Sequence, residues 1–153
     1  MTLKEKYEKL RKTYSLPEYA ELNRNFDIED INAESDIILA KVRIKIIEKI
    51  EFYASLLESL VQPDTNLRDM YEAKHLSDNT REETYLLFKK LMLIIRRSDL
   101  VSLDNSEKAN AEFINKSFSE WNSLKEQVNP HVTVLKDVWK KETNIKSDLS
   151  YFG

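Results

Sequence analysis

The only glycine in this chain is Gly153, its last residue. Glycine reaches φ > 0 without steric cost and lets a backbone approach a ligand closely. Without an interior glycine there is no P-loop, no G-x-G-x-x-G dinucleotide fingerprint and no G-x-S-x-G nucleophile elbow. Asn-Gly and Asp-Gly pairs, the strongest local signals for a β-hairpin, are missing too. The omission removes most glycine-dependent catalytic motifs and turns attention to helices.

At 153 residues the length fits one domain with a continuous core. Charged residues make up 33% and hydrophobic ones 41%, a globular balance with a heavily charged surface. The net charge of -3 gives no overall attraction to nucleic acid or anionic membrane, so neither is an expected partner. The absence of cysteine excludes disulfides, thiolate metal sites and a cysteine nucleophile. No apolar run approaches the roughly 18 residues of a membrane span. Met1 to Lys6 leads into charged helical sequence rather than a signal-peptide apolar region, so a cytoplasmic location is expected.

Leu3, Tyr7, Leu10 and Tyr14 form an amphipathic stripe on a first short helix. Pro17 opens a second, lined by Tyr19, Leu22 and Phe26, and residues 27–31 form a connector anchored by Ile28 and Ile31. From about Ala33 to Val61 the apolar residues Leu39, Val42, Ile46, Ile50, Tyr53, Leu57 and Leu60 recur every three or four positions. At about 1.5 Å per residue this helix would be about 40 Å long, the expected spine of the fold. Lys41 to Ile46 alternates in a strand-like way, but a lone strand has no partner, and helix is preferred.

Pro63 breaks the chain, and a short helix should cover residues 66–76. Thr80 and Glu83 have capping-box spacing for a helix running to Arg96-Arg97, with Leu100 to Leu103 as an apolar connector. Asp104 to Glu107 opens a further helix with Ala111, Ile114, Phe118 and Trp121 on its face. Pro130 either kinks it or begins a last helix holding Leu135, Val138 and Trp139. The expected fold is all-α, five to seven helices in a single compact bundle-like domain around the long central helix. Residues 1–144 form that domain and 145–153 a C-terminal tail, expected to be extended or weakly ordered unless a partner holds it. Phe88, Leu91, Ile95, Ile114, Phe118, Trp121 and Leu135 join the central helix in the expected core.

Candidate sites are few. Glu72 and His75 have the Glu-x-x-His spacing of helical carboxylate metal proteins, but His131 has Val128 where the second glutamate would stand. No metal and no cofactor is therefore expected. Arg68 to His75 resembles the HEPN nuclease pattern of an arginine, a polar residue and a histidine after a short interval. The resemblance implies that Arg68 would hold a scissile phosphate and His75 would serve as acid or base on the ribose hydroxyl of RNA, without metal. Asp69 and Glu72 would oppose phosphate there, and a solvated helix face is the plainer reading. The lysines and arginines at 41, 43, 45 and 49 likewise read as a solvated face, because no aromatics are interleaved for base stacking.

Leu149, Tyr151 and Phe152 make the tail unusually apolar, and they are the expected partner-binding residues. Their spacing resembles a degenerate sliding-clamp-binding peptide, with Lys146 where glutamine is usual and Gly153 in place of the second aromatic. The tetrapeptides starting at Leu16, Gln62 and Lys89 together resemble short all-helical archaeal proteins without an assigned role. That likeness implies a helical fold and transfers no site. The functional expectation is a non-enzymatic interaction protein that binds a protein partner, or a second copy of itself, through a helix face or its tail.

Overall fold

The computed structural model describes residues 1–142 and 144–152, with the backbone alone at Asp148, Tyr151 and Phe152. Among these residues there are seven α-helices, one 3-10 helix and no strand. In chain order they are α1 (Leu3–Tyr14), α2 (Tyr19–Phe26), the 3-10 turn Ile28–Asp30, α3 (Ile38–Val61), α4 (Leu67–Lys74), α5 (Asp78–Asp104), α6 (Glu107–Val138) and α7 (Ile145–Phe152). The fold is all-α, and Lys41 to Ile46 is helical despite its alternation.

The helix ends follow local chemistry. Thr2 caps α1 in a capping box: its hydroxyl accepts from the Glu5 amide at 3.2 Å, and Glu5 accepts from the Thr2 amide at 2.9 Å. With no glycine available, Ser15, Asp27 and Asn105 take the left-handed conformation at helix ends, with φ of 53, 56 and 53°. Ser77, not Thr80, caps α5, its hydroxyl accepting from the Thr80 amide at 3.1 Å. Ser106 does the same for α6 through the Ala109 amide.

Three boundaries differ from expectation. α3 starts at Ile38, because Ser35 and Asn32 accept from the amides of Ile37 and Glu34 and hold the preceding segment in turns. α5 continues to Asp104, so Leu100 to Leu103 is helix rather than connector. α6 runs 32 residues with Pro130 inside it and is longer than the 24-residue α3 expected to be the spine.

The chain divides into two compact units, residues 1–51 with 92–123 and residues 52–91 with 124–153. α3, α5 and α6 each contribute one part to each unit. In the first unit Tyr7, Leu22, Ile28, Val42, Ile46, Ile50, Ile94, Ile114 and Trp121 are essentially buried, and the Phe26 and Trp121 rings lie 6.1 Å apart. The buried Tyr7 hydroxyl donates to the Pro17 carbonyl, which ties α1 to the start of α2. The second unit packs Ala54, Leu57, Leu60, Leu87, Leu91, Leu124, Val128, Leu135 and Val138. Tyr53, Phe88 and Phe118, expected in the core, are half-buried.

Candidate functional site

The short helix α4 carries Arg68 and His75, and its own contacts occupy both. Asn66 caps it by accepting from the Asp69 amide at 2.8 Å. Asp69 is 2% exposed, and one carboxylate oxygen accepts from Arg68 Nε at 3.2 Å while the other accepts from the Asp64 amide at 3.4 Å. Arg68 thus neutralises the carboxylate that holds the preceding loop. His75 Nδ1 lies 2.8 Å from the Tyr71 carbonyl, an acceptor, so Nδ1 carries the proton there. The imidazole also lies against the Tyr71 ring, centroids 4.8 Å apart and planes tilted by 55°, and is half-buried. No described contact joins Arg68 to His75.

Glu72 accepts from Trp139 Nε1 at 2.9 Å, the Trp139 and Tyr71 rings lie 4.6 Å apart, and Lys74 sits over the Tyr71 ring. The Trp139 contacts, with the Tyr71 hydroxyl donating to the Val138 carbonyl at 3.2 Å, tie α4 to the end of α6. Among the described residues no group of three or more His, Asp or Glu side chains could hold a metal ion.

Residues 145–152 of the tail are helical. α7 begins at Ile145, where the Asn144 side chain accepts from the Ser147 amide at 3.0 Å. Leu149 is 60% exposed, and the side chains of Tyr151 and Phe152 and all of Gly153 lie outside the described residues. In the same unit, Val61, Asp78, Arg81, Glu82, Tyr85 and Leu86 line an open groove of about 540 Å³ in which acidic, basic and apolar side chains alternate.

Two features of the first unit escaped the sequence reading. Arg43, expected on a solvated face, is 7% exposed and joins three helices. Its Nε donates to Asn110 Oδ1 at 2.8 Å and its Nη1 to Ser98 Oγ at 2.7 Å. Asn110 in turn donates to Asn105 Oδ1 and the Ser106 carbonyl, fixing the turn between α5 and α6. Burial lowers the guanidinium pKa from its ordinary value, with the Asp99 charge partly opposing. No carboxylate pairs with Arg43 among the described residues, so neutral acceptors carry this buried charge.

The other feature is a row of leucines on the outer face of α5. Leu93, Leu100 and Leu103 are 57, 68 and 83% exposed. The helix buries Ile94, Ile95 and Ser98 on its opposite side. Arg96 stands within the row and pairs with Asp99 at 2.7 Å, both well exposed. The seven-residue step from Leu93 to Leu100 was the available signal, hidden once residues 100–103 were read as a connector. No helix among the described residues is long and apolar enough to cross a membrane. No family model, curated protein or solved structure matches this chain.

Proposed function

We propose that this chain is a non-enzymatic interaction protein that docks a protein partner on the leucine row of α5. The observation that carries the reading is the outward placement of Leu93, Leu100 and Leu103 on one strip of a well-packed helix. Isolated surface leucines are ordinary, but three on one strip, with the exposed Arg96 between them, concentrate apolar surface as binding faces do. Fully burying a leucine stabilises by about 1.5–3 kcal/mol, so these three, already partly covered, offer about 3–6 kcal/mol to a partner. Association itself costs upwards of about 4 kcal/mol. The row alone therefore supports weak binding, and the partner must also engage the adjacent Arg96 and Asp99.

A photo-crosslinking side chain at position 93 in native cells tests this, with position 116 on the exposed face of α6 as control. A discrete protein adduct at 93 and not at 116 is the expected result. Identical adducts at both positions, or none at 93, would refute the docking surface.

A further inference from the structure

We infer that the partner on this row is a second copy of the chain, its α5 laid antiparallel to the first; the inference rests on the row being a docking surface. Leu93, Arg96, Leu100 and Leu103 follow one another at intervals of three, four and three, the a/d spacing of a coiled-coil seam. That spacing fits another helix better than a flat surface, and the sign of its charges selects the orientation.

In a parallel pair each seam position meets itself, so Arg96 would be pressed against Arg96 of the second copy. In an antiparallel pair centred level with Ser98, Leu93 meets Leu103 of the second copy and Arg96 meets Leu100. All three leucines are then covered, and the aliphatic stem of Arg96 lies over leucine while its charged end stays at the rim. Arg96 also comes level, within one residue, with Asp99 of the second copy. Two arginines and two aspartates thus alternate around the two-fold axis. The present Arg96–Asp99 pair is 69 and 58% exposed, so sharing its charges with a second copy costs little. Arg97, at the edge of the seam, is already neutralised by Glu120 through bonds of 2.6 and 3.1 Å. It adds no uncompensated charge to the contact.

The chain contains no cysteine, which makes disulfide trapping a clean test. Purified full-length Leu93→Cys and Leu103→Cys chains are oxidised mildly, separately and as a mixture, with circular dichroism confirming unchanged helicity. The mixture should cross-link at least tenfold faster than either chain alone. Faster 93–93 linkage in the Leu93→Cys sample would overturn the antiparallel pairing. Sedimentation equilibrium of the unmodified protein should show a dimer at about 100 μM, and charge reversal by Asp99→Arg should weaken it at least tenfold. The double exchange Arg96→Asp with Asp99→Arg should restore it. A monomer throughout would overturn self-association, and no restoration by the exchange would overturn the pairing of Arg96 with Asp99 of the second copy. The docking reading itself would still stand if the crosslinker at position 93 trapped a different protein, so the two failures are separable.

Discussion

Arg43→Met is the sharpest test of how the first unit is held together. Arg43 on α3 reaches Ser98 on α5 and Asn110 on α6, and the substitution keeps much of the aliphatic bulk while deleting both charged bonds. Ser98 Oγ can turn to a carbonyl of its own helix, and its backbone carbonyl, 3.4 Å from Nη1, has helical partners. Asn110 Oδ1 has no such recourse, because Asn110 is 1% exposed and its amide group is fixed by Asn105 and Ser106. One orphaned buried acceptor costs about 1–3 kcal/mol, and the lost charge-assisted bonds are comparable in size. Relief from keeping a guanidinium out of water offsets part of this. The net expectation is a loss of about 2 kcal/mol, or a melting temperature lower by about 4–8 °C for a chain of this length.

Urea unfolding followed at 222 nm measures the loss, and a double-mutant cycle with Asn110→Ala isolates the pair. The coupling should be about 1.5–3 kcal/mol, as for a hydrogen bond to a charged group. Arg43→Lys should recover only part of it, because Nε and Nη1 reach the two acceptors from separate positions that one nitrogen does not reproduce. A near-neutral Arg43→Met with coupling below about 0.5 kcal/mol, the scatter for independent sites, would refute the network as the clasp of these helices.

Ser15→Gly should raise stability by about 1 kcal/mol, since Ser15 is exposed, sits at φ 53° and is the left-handed end of α1; an unchanged urea midpoint would show that the cap carries no strain. Pro130→Ala should stabilise by about 1–3 kcal/mol by restoring an amide and relieving the ring's clash within α6; a destabilised variant would mean the helix needs the distortion. Burial holds the pKa of His131 below the ordinary histidine range, with Glu83 partly opposing. The unfolded chain therefore takes up a proton that the folded chain refuses, and stability falls as pH drops through the unfolded value near 6.5. Thr84 Oγ1, 3.1 Å from the imidazole Nδ1, donates its own proton to the Thr80 carbonyl, so the neutral ring donates to it. Urea midpoints between pH 7.5 and 5.5 should decline less steeply for His131→Phe; equal slopes would rule out this histidine as the cause.

Periodicity made the helices legible because apolar residues at three- and four-residue steps need only a neighbouring surface, not a particular one. Leu39, Val42, Ile46, Ile50, Leu57, Leu91, Ile95, Ile114 and Leu135 were all read as core and are buried. Arg43 was not legible, since a basic residue between solvent-facing lysines looks alike whether its stem is wet or dry. Only the positions of Ser98 and Asn110 on two other helices reveal its burial. The end of α5 was missed for a related reason. Ser98 and Asp99 weaken the apolar rhythm, yet neither residue stops a helix as proline or glycine would, and the backbone continues to Asp104. For α7 the signal was the Asn144 side chain, which caps the helix by accepting from the Ser147 amide. The Arg68–His75 spacing was readable, but their engagement by Asp69 and Tyr71 was not.

The missing glycines and the exposed leucines belong to one physical account. Without glycine a sharp turn at a helix end must use a strained Ser, Asp or Asn, so turns are few and helices long, reaching 27 residues in α5 and 32 in α6. A long surface helix buries one stripe and must fill the rest of its circumference with residues that keep it helical. Lysine, glutamate, arginine and leucine all do so with similar propensity. Propensity can therefore explain one leucine on an outer face, but it supplies no reason for leucines to align. On α5 they do align, at 93, 100 and 103, while the charges that would solubilise the strip stand at Arg96, Asp99 and Asp104. Replacing all three leucines by lysine or glutamate would preserve helix propensity and improve hydration of an isolated chain. Their placement in register matches the spacing that a seam for another helix uses.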